Sequence, residues 1–112
     1  MGEILSTLEK ILEQRKSATA DKSYVASLYN QGTEKILDKI SEESAEVIMA
    51  AKEEGKDKII HEVADLWFHT LVLLRHKNIS VKEIETVLIR RFGVSGHVEK
   101  GDRNKLKEEK SS

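Results

Sequence analysis

Four carboxylates stand in two pairs of identical spacing: Glu43 with Glu46 and, after fifteen intervening residues, Glu62 with Asp65. On a helix, residues at i and i+3 share a face, with Cβ atoms about 5–6 Å apart. Each pair therefore presents two carboxylates in one direction, and two neighbouring antiparallel helices would converge all four. Oxygen-only donors select a hard divalent cation, Mg2+ with Mn2+ able to substitute, over zinc. Each pair alone carries little, because E-x-x-E is common on helices; the repetition carries the argument. Glu42 precedes the first pair and faces farther out. Lys39, one turn before Glu43, is placed to meet a phosphate as a point charge, although a solvated helix lysine fits the same position. His69, one turn beyond Asp65, suits three roles equally: orienting a carboxylate, contacting a substrate, or packing as a structural histidine. His61, His76 and His97 show no ligand spacing.

The elements that must position these groups are all helical. Ile4, Leu5, Leu8, Ile11 and Leu12 recur at helical spacing and predict a helix over 2–14, followed by a loop over 15–22. Ser23 is placed to cap a short helix carrying Tyr24, Val25, Leu28 and Tyr29, which stops at Gly32. Thr33 then caps a long helix over 33–54, closed by Gly55, and Asp57 caps the next, over 57–77. Ser80 and Glu83 have capping-box spacing and open a last helix through Ile84, Val87 and Leu88 to about residue 91. Short connections make neighbours antiparallel. The expected fold is an all-α antiparallel bundle of four main helices plus one short one. A domain over 1–99 is followed by a polar, flexible tail over 100–112.

Within this frame the acids are out of place. Helix 33–54 carries a stripe of Ile36, Ile40, Val47 and Ala51, edged by Leu37 and Ile48, and Glu43 projects beside it. Helix 57–77 is apolar around nearly its whole circumference, the pattern of a buried helix, yet Glu62, Asp65 and His69 lie on one strip of it. Burying an ionised carboxylate without a cation costs several kcal/mol at least. Of the lysines that could serve, Lys35, Lys39 and Lys58, only Lys39 lies on the right strip and Lys58 sits near a helix start. The pattern thus favours a metal ion over a salt-bridge network.

Composition narrows the classes further. A chain of 112 residues with 35% charged residues, 4% aromatics and no proline is one helical domain, not a turn-rich β domain. Nineteen Lys and Arg against 20 Asp and Glu argue against nucleic acid as a partner. The absence of cysteine removes disulfides, thiol nucleophiles and Cys-based zinc sites. No apolar run resembles a signal peptide or approaches the ~20 residues of a membrane span, which points to a cytoplasmic protein without a membrane partner. So short a chain cannot cover all sides of helix 57–77, so a homodimer is expected, with Trp67 and Phe68 in the core or the subunit interface.

The run Glu42-Glu43-Ser44-Ala45-Glu46, followed by Glu62-Val63-Ala64-Asp65, resembles the E-E-x-x-E … E-x-x-D signature of the MazG-like all-α nucleotide pyrophosphohydrolases. Within that superfamily the chain is most similar to the phosphoribosyl-ATP pyrophosphohydrolases of histidine biosynthesis. The likeness includes Arg15-Lys16, Ser23-Tyr24, Leu28, Gly32, Lys35-Ile36, Lys39, Ala50-Ala51-Lys52, Ala64-Asp65-Leu66, His69 and Leu71 to Leu74, over residues 5–91. Ser41 replaces a frequent Gly, and Trp67-Phe68 a common Leu-Tyr. The resemblance implies a homodimer hydrolysing phosphoribosyl-ATP to phosphoribosyl-AMP and pyrophosphate. It implies Mg2+ on Glu43, Glu46, Glu62 and Asp65, and Glu42 positioning the nucleophile or acting through water. Lys39, then Lys35 and Arg15, would bind phosphates, with Tyr24 and His69 as further substrate contacts. The alternative within the superfamily is a housekeeping (d)NTP pyrophosphohydrolase with the same metal chemistry. Outside it stands a non-catalytic helical dimerisation module, which should lose nothing when Glu62 and Asp65 become Leu.

Overall fold

The computed structural model describes residues 2–93, all helix and turn. The expected tail over 100–112, with Val94, His97 and Val98, lies outside the described residues. Five α-helices follow one another: α1 (Gly2–Gln14), α2 (Tyr24–Gln31), α3 (Thr33–Met49), α4 (Lys56–His76) and α5 (Val81–Phe92). A single 3-10 turn, Arg15–Ser17, follows α1, and the end of α3 widens into a π-helical turn over Ala50–Glu54.

Contacts divide the chain into two compact units, Met1–Ile79 and Ser80–Ser112. In the first, α3 and α4 form a hairpin whose cross-contacts run from Glu46 with Glu62, through Glu43 with His69, to Thr33 with His76. One number rises as the other falls, so the helices are antiparallel. Helix α2 packs on α3, and α1 on α4. The core they enclose is Leu12, Val25, Ala26, Leu28, Ile36, Ala50, Leu71 and Val72. Polar clamps tie its edges. The Tyr29 hydroxyl donates to the Leu12 carbonyl at 3.0 Å, and Arg75 joins α4 to Glu9 and Glu13 of α1.

Helix ends follow local chemistry. Ser23 Oγ accepts from the Ala26 amide at 3.1 Å, which caps α2 as the sequence predicts. Thr33 and Asp57 are not the caps expected of them. Gly32 and Gly55 hold the N-cap positions of α3 and α4, with φ of 93° and 89°. With ψ near 180° this is a backbone region open essentially to glycine alone. Each glycine turns the chain so sharply that the next helix starts one residue on, ahead of Asp57 in the case of α4. Thr33 Oγ1 instead meets His76 Nε2 across the hairpin, at 3.1 Å.

The second unit is described through α5. Its start is the full capping box expected from Ser80 and Glu83, and Gly93, with φ 61°, takes the left-handed closing position.

Candidate active site

The hairpin places Glu43 of α3 opposite His69 of α4, and both are buried, at 7% and 5% exposure. His69 Nδ1 lies 2.5 Å from Glu43 Oε1 and 3.1 Å from the Asp65 carbonyl oxygen. Both partners are acceptors, so Nδ1 carries the proton and donates to them. The other ring nitrogen, Nε2, lies 2.8 Å from the Tyr24 hydroxyl, which α2 brings in from the side. In neutral His69 that nitrogen accepts the tyrosine proton. The result is a chain, Tyr24 to His69 to Glu43, that fixes one carboxylate of the first acidic pair.

Tyr24 also marks an electrostatic cluster. Partial burial pushes its phenol above the ordinary value, helped by Glu43, Glu42 and Asp65 and opposed by Lys39. Lys39 is held above the usual lysine value by Tyr24 and then by Glu42, with which it forms a 3.5 Å ion pair. Tyr24, Lys39, Glu42, Glu43, Asp65 and His69 therefore share one neighbourhood. Asp65 itself is exposed. Strict burial of both acids of α4, expected from its apolar circumference, holds for Glu62 and not for Asp65, because this chain leaves Ile60 and Trp67 about half exposed too.

A few residues along the hairpin, Glu46 and Glu62 form the second focus. Glu62 is only 5% exposed, while Glu46 is exposed. Their carboxyls lie close enough to perturb each other. Contact with Glu62 holds Glu46 above the usual carboxylate range, and nearby Glu43 adds to the effect. Glu62 is held below that range by the Lys58 ammonium and then by the contact with Glu46. Lys58 Nζ reaches Glu62 Oε2 at 3.0 Å, which corrects the expectation that this lysine is badly placed. The i, i+4 spacing on α4 was the available signal. The other oxygen, Glu62 Oε1, is buried with no hydrogen-bond partner.

Among the described residues no three His, Asp or Glu side chains already stand close enough to share one ion. The donor set nonetheless fits a hard cation. It is carboxylate oxygen throughout, two of its members, Glu46 and Glu62, crowd each other, and a buried oxygen of Glu62 is left without a donor. Arg15, in the 3-10 turn, and Lys35, in the first turn of α3, are exposed. Among the described residues no side-chain hydrogen bond or ion pair ties either to the carboxylates.

Comparison with known proteins decides the family. The sequence model described as phosphoribosyl-ATP pyrophosphohydrolase matches residues 5–92. The chain belongs to the phosphoribosyl-ATP pyrophosphohydrolase family. A protein of Vesicomyosocius okutanii named phosphoribosyl-ATP pyrophosphatase is 70% identical over 104 residues, covering 93% of this chain and 99% of that one. Namesakes in Hydrogenovibrio crunogenus and Neisseria meningitidis serogroup B are 50% and 46% identical, covering 93% and 92% of this chain and 96% and 97% of theirs. The chain is thus an enzyme of the phosphoribosyl-ATP pyrophosphohydrolase family. None of the described helices is long and apolar enough to cross a membrane.

Proposed function

We propose that this chain hydrolyses phosphoribosyl-ATP to phosphoribosyl-AMP and pyrophosphate, the second step of histidine biosynthesis, in the cytoplasm and with Mg2+. Family membership and the printed names of near relatives support the substrate. The observation that carries the chemistry is Glu62: a buried, ionised carboxylate with one oxygen on Lys58 and the other unpartnered.

Glu43, Glu46, Glu62 and Asp65 would hold the ion, with Mn2+ as a substitute. Bound there, Mg2+ supplies neutralisation of the diphosphate oxygens and a fixed orientation for the attacking water. The protein's own groups do the rest. His69 keeps the Glu43 carboxylate in one orientation, and Tyr24 keeps His69 in one tautomer. Lys39, with its ammonium at the edge of the cluster, meets a phosphate oxygen as a point charge. Glu42 is exposed beside the donor set, where it can position the water and accept its proton. Arg15 and Lys35 remain candidates for the outer phosphates through their exposure and charge alone.

The same reading includes a homodimer. Ile4, Leu5, Leu8, Ala64, Trp67, Phe68 and Leu71 line an open apolar groove between α1 and α4. Trp67 at 49% exposure and Ile60 at 54% extend it along the outside of α4. So much apolar surface on so small a chain is characteristic of a subunit interface.

Pyrophosphate release from phosphoribosyl-ATP, measured beside a panel of dNTPs, tests the substrate. Release from phosphoribosyl-ATP at least about a hundredfold faster, some 2.7 kcal/mol of transition-state discrimination, is expected. Equal or better turnover of dNTPs would overturn the assignment.

A further inference from the structure

Among the described residues, Lys58 forms an ion pair with the buried carboxylate of the second focus. Its Nζ stands 3.0 Å from Glu62 Oε2, one turn away on the same helix, and its side chain is about half exposed while that of Glu62 is buried. A buried carboxylate is tolerated only with a compensating charge, and removing one member of such a pair leaves the other uncompensated. The ammonium therefore supplies part of what a divalent cation would supply at the same carboxylate. Its long stem and exposed position give the ammonium a path into solvent. Glu62 Oε1, with no partner, remains the oxygen open to an ion.

We propose that Lys58 is a built-in competitor of the divalent cation: its ammonium holds Glu62 in the metal-free protein and must release it, wholly or in part, when the ion binds. This inference rests on the reading of Glu62 as a metal ligand. Lys58 thereby compensates a buried carboxylate in the metal-free protein, and it sets the metal affinity below what the carboxylates alone would give. It acts most directly on Glu62, with a weaker electrostatic effect on Glu46. Lys56, two residues earlier and also exposed, carries the same charge at the start of α4 but is not on Glu62.

The test is Mg2+ binding to the full chain without substrate, by titration calorimetry and by the rise in Tm with added Mg2+. Lys58→Met should lower the Tm of the metal-free protein and tighten Mg2+ binding roughly fivefold, the scale of removing one competing ion pair. Its Tm should then rise more with Mg2+ than that of the wild type. Lys58→Arg, whose guanidinium grips a carboxylate with two donors, should fold normally and bind Mg2+ more weakly than the wild type. Lys56→Met removes the same charge and should leave the affinity near the wild-type value. A wild type that binds Mg2+, with Lys58→Arg unchanged or tighter, overturns the competitor role, as does Lys56→Met tightening as much as Lys58→Met. A wild type that binds no Mg2+ overturns the metal reading itself.

Discussion

At the residue scale, His69 gives the buried Glu43 carboxylate a hydrogen-bond donor and points it in one direction. Removing a partner that orients a metal-binding carboxylate typically costs 10–100-fold in metal affinity or activity. His69→Ala should lose about that much in Mg2+ affinity by calorimetry, and Tyr24→Phe should retain most of it, since the Nδ1 bond to Glu43 survives. Equal affinities in His69→Ala and the wild type would remove Glu43 from the donor set. The contact between His69 and Glu43 was half legible in the sequence, where His69 shares a strip with the acids of α4. The contact with Tyr24 was not, because it spans 45 residues and depends on how α2 packs. Tyr29 gives an independent check on packing at this scale. Burial, and behind it the charge of Glu13, pushes its phenol up to about 12. A phenol with a raised folded-state pKa stabilises the fold fully below its unfolded value near 10, and that contribution disappears as pH climbs from there through about 12. With two tyrosines in the chain, and the phenol of Tyr24 also raised, phenolate absorbance in the folded protein should stay low at pH 10 and appear only above it. A midpoint near 10 for both would mean that Tyr29 is not buried against α1.

At the scale of elements, the α3–α4 hairpin is what brings residues of the E-x-x-E and E-x-x-D pairs together from two helices. Its single-residue connection sets the register that brings Glu46 to Glu62 and Glu43 to His69. The five helices were legible from apolar spacing, as were the Ser23 cap and the Ser80–Glu83 box, because these signals are local. The caps at Gly32 and Gly55 were misplaced by one or two residues, since Thr33 and Asp57 are the stronger cap formers and only the tight turn rules them out. The π-helical turn over Ala50–Glu54 left no mark in the apolar pattern. Gly55→Ala tests the hairpin directly. Nothing would touch the added Cβ, so the cost is the backbone conformation alone, about 1–3 kcal/mol. Chemical denaturation should show that loss with little change in the slope of the transition; an unchanged midpoint would mean that the connection relaxes freely and does not set the register.

At the scale of the molecule, thin composition becomes exposed apolar surface. The sequence suggested that α4 needs cover on every side, and among the described residues that cover is incomplete around Ile60, Trp67 and the α1 groove. Sedimentation should give twice the chain mass, and Trp67→Lys should shift it toward the monomer. As Trp67 is the sole tryptophan, its emission in the wild type should move to longer wavelength on dilution into monomers. A wild-type monomer at every concentration would refute the interface. The central claim, however, is that four carboxylates on one hairpin, Glu43 and Glu62 buried among them, hold the ion for hydrolysis of phosphoribosyl-ATP. Mg2+-dependent pyrophosphate release from phosphoribosyl-ATP by the wild type and by Glu62→Gln tests it most directly. The account predicts release by the wild type that stops when Mg2+ is chelated, and a loss of at least about a hundredfold in folded Glu62→Gln. Undiminished release by folded Glu62→Gln would contradict it.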